Sequence, residues 1–232
     1  MSNPTLAGHH VVVTGASRGI GAAIVRMLSA AGAIPIRIAR SQLPALAGAI
    51  DFRCDLADPA DRAAMLRDLS AHHPLPDAVV SNAGAFLLAP LAESTDALLR
   101  EQLAINLEAP FALARHFVPA MQARGRGHHI LIGSVADHTA FPGNAAYAAS
   151  KFAARGLHEV LVAECRGTGV RCTLVSPGAT DTTVWDPIDP DHHAGFTPRA
   201  EMLAPDDVAA AVRFALTAPG HAQVDNIRLG PA

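Results

Sequence analysis

The sequence predicts an α/β fold, a doubly wound domain in which helices cover both faces of a parallel sheet. Two observations lead there. Seven short apolar runs alternate with longer segments whose apolar residues recur at helical spacing, the pattern of strands buried on both faces. The chain has 232 residues, half of them hydrophobic, enough for one compact domain with a sizeable core.

Strands are expected at 10–14, 34–39, 50–54, 78–82, 129–133, 170–175 and 224–228, and helices at 19–31, 59–71, 97–124, 145–167 and 206–217. The first strand, His10 followed by Val11-Val12-Val13, feeds a glycine-rich turn from which the first helix opens at once. The second contains Pro35, which deletes a ladder donor, so pairing is expected only from Ile36 onward. Arg40 to Ala49 is short for a parallel crossover and leaves room only for a stub of helix. Asp58-Pro59 and Pro205-Asp206 mark helix starts, because proline at the first helical position loses no hydrogen bond. No repeat, low-complexity tract or linker suggests a boundary, so residues 1–232 read as a single domain. The segment 184–203, with Trp185, three prolines and His192-His193, interrupts the alternation. Loops of that length inside compact domains are usually functional lids or mobile.

A net charge of −3 and scattered arginines offer no basic stripe, so no nucleic-acid partner is expected. Met1-Ser2-Asn3-Pro4 lacks a signal pattern and no run is long enough to span a bilayer, so a cytoplasmic protein with no membrane partner is expected. Cys54, Cys165 and Cys172 are odd in number and irregularly spaced, which suits buried thiols better than disulfides or a metal knuckle. His9-His10, His72-His73 and His128-His129 precede strands one, four and five; adjacent histidines chelate poorly, so a solvated rim is expected and no metal site.

The 18 basic residues comprise 17 arginines and one lysine, Lys151, and the only tyrosine is Tyr147, four positions earlier. A lone lysine in an arginine-using chain suits a place where a compact ammonium is required. Residues four apart share a helix face, so both side chains can enter one cleft. Taken alone, such a pair is more commonly a core-edge aromatic beside a surface lysine. The chemical alternative is a phenol whose ordinary pKa near 10 is lowered by the ammonium, making a usable general acid and base.

Gly15, Ser17, Arg18, Gly19, Ile20 and Gly21 form the turn between strand and helix, where backbone amides and the helix dipole favour an anionic pyrophosphate. Its bland alternative is a turn using glycines for tight packing. At the end of the second strand, where an acid would bond a free ribose 2′-hydroxyl, the chain reads Ala39-Arg40-Ser41. Arg40 and Arg18 could clamp a 2′-phosphate, which predicts NADP(H); otherwise they are two solvated arginines.

Together, Thr14-Gly15-x-x-x-Gly19-x-Gly21, Asp55, Asn82-Ala83-Gly84, Asn106, Ser134, Tyr147-x-x-x-Lys151 and Pro177-Gly178 resemble the short-chain dehydrogenase/reductase family over nearly the whole chain. The resemblance implies a Rossmann-type sheet ordered 3-2-1-4-5-6-7 and hydride transfer between NADP(H) and a small ketone or secondary alcohol. It makes Tyr147 the proton donor, gives Lys151 the nicotinamide ribose and the lowering of the phenol's pKa, and places Ser134 on the carbonyl oxygen. Asn106 would anchor a water chain to Lys151. Asp55 and Leu56 would lie by the adenine, Asn82, Ala83 and Gly84 along the adenosine, and Pro177, Gly178, Thr180 and Thr182 around the nicotinamide and its phosphate. Ser81 and Thr180 depart from the family pattern. A homotetramer or homodimer through helices 97–124 and 145–167 is implied. The tail lacks the Asp-Gly-Gly of many acyl-carrier-protein ketoreductases, which keeps that activity as an alternative beside a general alcohol or hydroxy-acid enzyme. A non-catalytic NADPH sensor would need the glycine turn but not Tyr147, Lys151 and Ser134.

Overall fold

A computed structural model describes residues 6–232; the Met1–Pro4 stretch read above lies outside them. The strands are β1 (His10–Thr14), β2 (Ile34–Ala39), β3 (Ile50–Arg53), β4 (Ala78–Ser81), β5 (Gly127–Ile132), β6 (Val170–Pro177) and β7 (Asn226–Leu229). They form one parallel sheet in the expected order, β3-β2-β1-β4-β5-β6-β7. Helices α1 (Gly19–Ala30) and α6 (Pro205–Thr217) pack on one face, where Ile24, Leu28, Val208 and Val212 meet Val11, Val13 and Val80. Helices α2 (Pro59–His72), α4 (Ala109–Arg124) and α5 (Ala145–Cys165) cover the other, with Leu69, Phe117, Met121 and Leu161 against Val12, Ile36 and Val79. Each fully buried aliphatic or aromatic side chain contributes about 1.5–3 kcal/mol of transfer free energy, which makes these two layers the main support of the sheet. Among the described residues no helix is long and apolar enough to cross a membrane.

Four local expectations need correction. Pro35 does pair: β2 aligns with β1 from Ile34 onward, and Ile34 N donates to the His9 carbonyl at 2.8 Å. Because backbone donors alternate sides along a strand, the missing donor of Pro35 faces β3, whose pairing begins only at Ile36–Ile50. The segment 40–49 contains no helix. It is held by Arg37, a buried β2 residue whose guanidinium forks onto Asp51 of β3 at 2.6 and 2.7 Å and also donates to the Pro44 carbonyl at 3.0 Å.

The long helix expected over 97–124 is α3 (Asp96–Leu103), a π-helical turn at Ala104–Glu108, then α4. A π-turn widens the helix by one residue and commonly marks a functional position. Finally, the third histidine pair is not solvated. His128 and His129 are 3% and 0% exposed, pointing to opposite faces of β5, and burial lowers their pKa values to about 3 and about 4. His128 Nε2 meets Thr173 Oγ1 at 2.8 Å, and His129 Nε2 meets the Ser81 hydroxyl at 3.3 Å. Ser81, one of the two departures from the family pattern, thus stands where it faces a buried imidazole.

Candidate active site

The C-terminal ends of β1, β4, β5 and β6 converge on one edge of the sheet. At β1 the Thr14 hydroxyl accepts the amides of Asn82 and Ala83, both at 2.9 Å, while Asn82 Nδ2 donates to the Thr14 carbonyl at 2.8 Å. The glycine turn is thereby fastened to the end of β4. Gly15 has φ +65°, and a Cβ on Gly21 would stand 2.2 Å from the Gly15 carbonyl oxygen, so neither position admits a side chain. Helix α1 starts from Arg18 in extended conformation with no side chain capping it. An uncapped first turn above a side-chain-free loop fits the pyrophosphate of a dinucleotide, which brings its own acceptors.

Around that cradle the sequence-predicted coenzyme residues fall as follows. Ser17, Arg18, Arg40 and Ser41 are exposed at the adjoining ends of β1 and β2, and among the described residues no acid pairs with either guanidinium. Asp55 is exposed, with Oδ1 accepting the Ala57 amide at 3.0 Å. The Leu56 side chain belongs to the core, 3% exposed, and leaves only its backbone at the surface of the site. Gly84 lies at the inner end: a Cβ there would approach Asn106 Oδ1 to 3.2 Å and Lys151 Nζ to 3.9 Å. Gly178 is tied to β7 through its amide on the Leu229 carbonyl at 2.7 Å. Thr182 reaches over the turn, its methyl 3.0 Å from a Cβ built on Gly19.

On the opposite side of the cradle, α5 presents Tyr147 and Lys151 on one buried face. Lys151 Nζ donates to the Ile132 carbonyl at 3.1 Å and stands 5.8 Å from the centre of the Tyr147 ring. Burial lowers its pKa to about 8, opposed by the nearby Asp137 carboxylate. Burial likewise pushes Tyr147 up to about 12, with the neighbouring Ser134 hydroxyl pulling it down and Asp137 pushing it further up. Desolvation is the largest of these influences on the phenol. The phenol is held neutral, with a proton to give and a hydroxyl partner beside it.

Asn106 is buried in the π-helical turn. Its side chain clamps Ala85, accepting the amide at 2.9 Å and donating to the carbonyl at 3.0 Å, and also donates to the Ser150 hydroxyl at 2.9 Å. Ser150 in turn donates to the Tyr147 carbonyl at 2.7 Å. The π-turn thus lets one amide join the loop after β4 to the helix that carries Tyr147.

Three features escaped the sequence reading. Asp137, 1% exposed, accepts the Ser134 amide at 3.1 Å, the Ser176 hydroxyl at 2.5 Å and His138 Nδ1 at 2.7 Å. Ser134-x-x-Asp137 is a capping-box pattern, reciprocal here, and that signal could have found it. Phe86 packs edge-on against Tyr147 with ring centres 4.8 Å apart, for which the sequence holds no local signal. Arg199 gathers the segment after β6, donating to Asp181 and Asp186 at 2.6 Å each and to the Thr182 carbonyl at 3.2 Å. Among the described residues no group of three or more His, Cys, Asp or Glu is disposed to hold a metal ion.

Comparison with known proteins agrees with this geometry. The family model for short chain dehydrogenases matches residues 9–193. Dehydrogenase/reductase SDR family member 11 of Homo sapiens is 31% identical, over 95% of this chain and 93% of its own. L-fucose dehydrogenase of Oryctolagus cuniculus is 35% identical, over 92% of this chain and 80% of its own. A metagenomic short-chain oxidoreductase solved in complex with NADP superposes with a TM-score of 0.81 at 32% identity, covering 99% of both chains. The chain belongs to the short-chain dehydrogenase family and is an NAD(P)-dependent oxidoreductase.

Proposed function

We propose that the protein is an NADPH-dependent carbonyl reductase, acting in reverse as an alcohol dehydrogenase on a small ketone or secondary alcohol. The observation that carries this reading is the buried Tyr147 phenol, beside Ser134 and with the Lys151 ammonium 5.8 Å from its ring centre, at the inner end of the glycine cradle. The bound coenzyme supplies the hydride. Tyr147 Oη gives its proton to the carbonyl oxygen, and the Ser134 hydroxyl holds the same oxygen as charge develops on it. Lys151 places a positive charge on the nicotinamide ribose, while Asn106 positions α5 through Ser150.

Arg18, Arg40 and Ser41 receive the 2′-phosphate, as the absence of an acid after β2 favours. Asp55 and the Leu56 backbone take the adenine, Asn82, Ala83 and Gly84 the adenosine side, and Pro177, Gly178, Thr180 and Thr182 the nicotinamide end. Three free buried thiols, Cys54, Cys165 and Cys172, support a reducing, cytoplasmic setting. Exposed Phe111 on α4, with Phe152 and Val160 on α5, supports a homodimer or homotetramer built on those helices. Light scattering at micromolar concentration is expected to return a multiple of 24.0 kDa, and a clean monomer removes the assembly from the proposal. The function is tested by following NADPH oxidation with a panel of ketones, quinones and keto esters. Turnover that disappears in Tyr147→Phe supports it, and absence of any turnover refutes it.

A further inference from the structure

Four rings run in unbroken contact from the phenol to the surface. Tyr147 meets Phe86 at 4.8 Å, Phe86 meets Trp185 at 5.0 Å and Trp185 meets Phe196 at 5.9 Å, every pair edge to face. Phe86 comes from the loop after β4 and the last two from the segment after β6, so the wall is assembled from three parts of the chain. The polar atom of the indole is already engaged, since Trp185 Nε1 donates to the Thr180 carbonyl at 3.0 Å. What Trp185 offers a ligand is therefore apolar surface. Phe196, 36% exposed, continues the wall to solvent.

The charges around this wall are as informative as the rings. Residues 184–203 carry four acids, Asp186, Asp189, Asp191 and Glu201, against the single cation Arg199. Arg199 is paired with Asp181 and Asp186 and also donates to the Thr182 carbonyl. His192 is paired with Asp189 at 3.0 Å, and His138 with Asp137. The one lysine is buried with its ammonium on Ile132. Among the described residues of this segment, a carboxylate or phosphate would thus enter a negative field whose one guanidinium is already paired with two acids. A polyhydroxylated chain laid on the rings would give up hydrogen bonds to water, and the rings themselves offer none in exchange.

We propose that the substrate is a neutral carbonyl compound bearing an aryl or bulky alkyl group, packed against the Phe86–Trp185 wall with its oxygen toward Tyr147 and Ser134. This rests on the carbonyl-reductase reading and narrows it: sugars, polyols and the hydroxy acids that the chain's tail left open are disfavoured, although relatives are named for L-fucose and D-threitol and one similar structure for gluconate.

The test uses the whole protein with NADPH and four matched substrates: acetophenone, a four-carbon polyhydroxy ketone, phenylglyoxylate and the ethyl ester of phenylglyoxylate. The aryl ketone should exceed the polyhydroxy ketone by about a hundredfold in kcat/KM, and the ester should exceed its own acid by about tenfold, in the range that pocket polarity and a few carbons command. Phe86→Ser and Trp185→Ser should each narrow the first ratio about tenfold, mainly through KM, and Trp185→Phe should restore it. Equilibrium binding gives a second readout independent of turnover and of those variants. In Tyr147→Phe with oxidised coenzyme, 1-phenylethanol should alter the emission of Trp185, the only tryptophan, at concentrations where erythritol does not. Preference for the polyhydroxy ketone or the acid, lost in Tyr147→Phe, overturns the substrate class and leaves carbonyl reduction standing. No coenzyme turnover with any carbonyl or its alcohol overturns the underlying reading, and the substrate class falls with it.

Discussion

Replacing Asp137 separates charge from shape at the centre of the site. Its carboxylate is 1% exposed and receives three donors: the Ser134 amide, the Ser176 hydroxyl and His138 Nδ1. Asp137→Ala leaves those donors without their acceptor in a space closed to water. At roughly 1–3 kcal/mol for each of the three orphaned groups, the loss is about 3–9 kcal/mol, comparable with the ~5–15 kcal/mol that holds a domain together. Asp137→Asn keeps an oxygen for Ser134 and Ser176 but removes the charge and turns an amide NH2 toward His138 Nδ1, which can accept it in the other tautomer. Hydrogen bonds to charged groups exceed neutral ones by about 1 kcal/mol, so the expected loss is roughly 2–3 kcal/mol.

The same variant has a kinetic signature. The carboxylate raises the proton affinity of both Tyr147 and Lys151, and it also acts on His158 of α5. Removing the charge lowers the Tyr147 and Lys151 pKa values. In carbonyl reduction Tyr147 must carry its proton, so the fall in kcat/KM on alkalinisation should begin at lower pH in Asp137→Asn than in the unaltered enzyme. In alcohol oxidation the ionised phenol is required, and the rising limb should move in the same direction. Urea denaturation and pH–rate profiles in both directions measure the two effects. A variant within about 0.5 kcal/mol of the parent, with superimposable profiles, would refute the role assigned to the carboxylate.

Tyr147→Phe should lower kcat by about 10²–10⁴-fold while leaving coenzyme affinity within a few-fold, because only the proton donor is lost; retention of more than a hundredth of the activity refutes the assignment. Lys151→Arg should fail in both turnover and coenzyme binding, since the forked guanidinium does not fit the space that brings Nζ within 3.9 Å of a Cβ built on Gly84; activity above a tenth of the parent is the contrary result. Arg40→Asp should turn preference from NADPH toward NADH, checked by steady-state kinetics with both, and equal efficiencies in the unaltered enzyme would remove the basis for it. His128 and His129, with folded pKa values of about 3 and about 4 against 6.5 in the unfolded chain, contribute stability that is complete above pH 6.5 and is lost as pH falls toward those folded values. At pH 5 each should cost roughly 2 kcal/mol, and His128→Asn or His129→Asn should flatten the dependence of denaturation midpoint on pH.

What could be read in the sequence is what depends on local pattern or rare residues. The alternation of runs gave all seven strands, since central parallel strands are apolar on both faces, and the lone Tyr147 and Lys151, four apart, pointed to one shared helix face, which α5 has. What could not be read depends on the third dimension. Adjacent histidines in a strand look like solvated polar residues, yet β5 lies in mid-sheet, so both rings are buried and discharged by desolvation. The π-turn is invisible because apolar spacing on either side of it is helical. Phe86, Trp185 and Phe196 are far apart in the chain and meet only because the loops after β4 and β6 end on the same edge of the sheet.

The π-turn at 104–108 also bears on which insertions and deletions the chain can tolerate. Each residue of an α-helix turns the chain by about 100°, so the one surplus residue directs α4 to a different azimuth from the one α3 alone would set. It works as a phase adjuster between two demands: Asn106 must face Ala85 and Ser150, while Leu113, Phe117 and Met121 must face the sheet. Deleting Ile105 would yield a more regular helix and a worse protein. Either the asparagine would swing off the loop and α5, or three of the largest core side chains would swing off the strands.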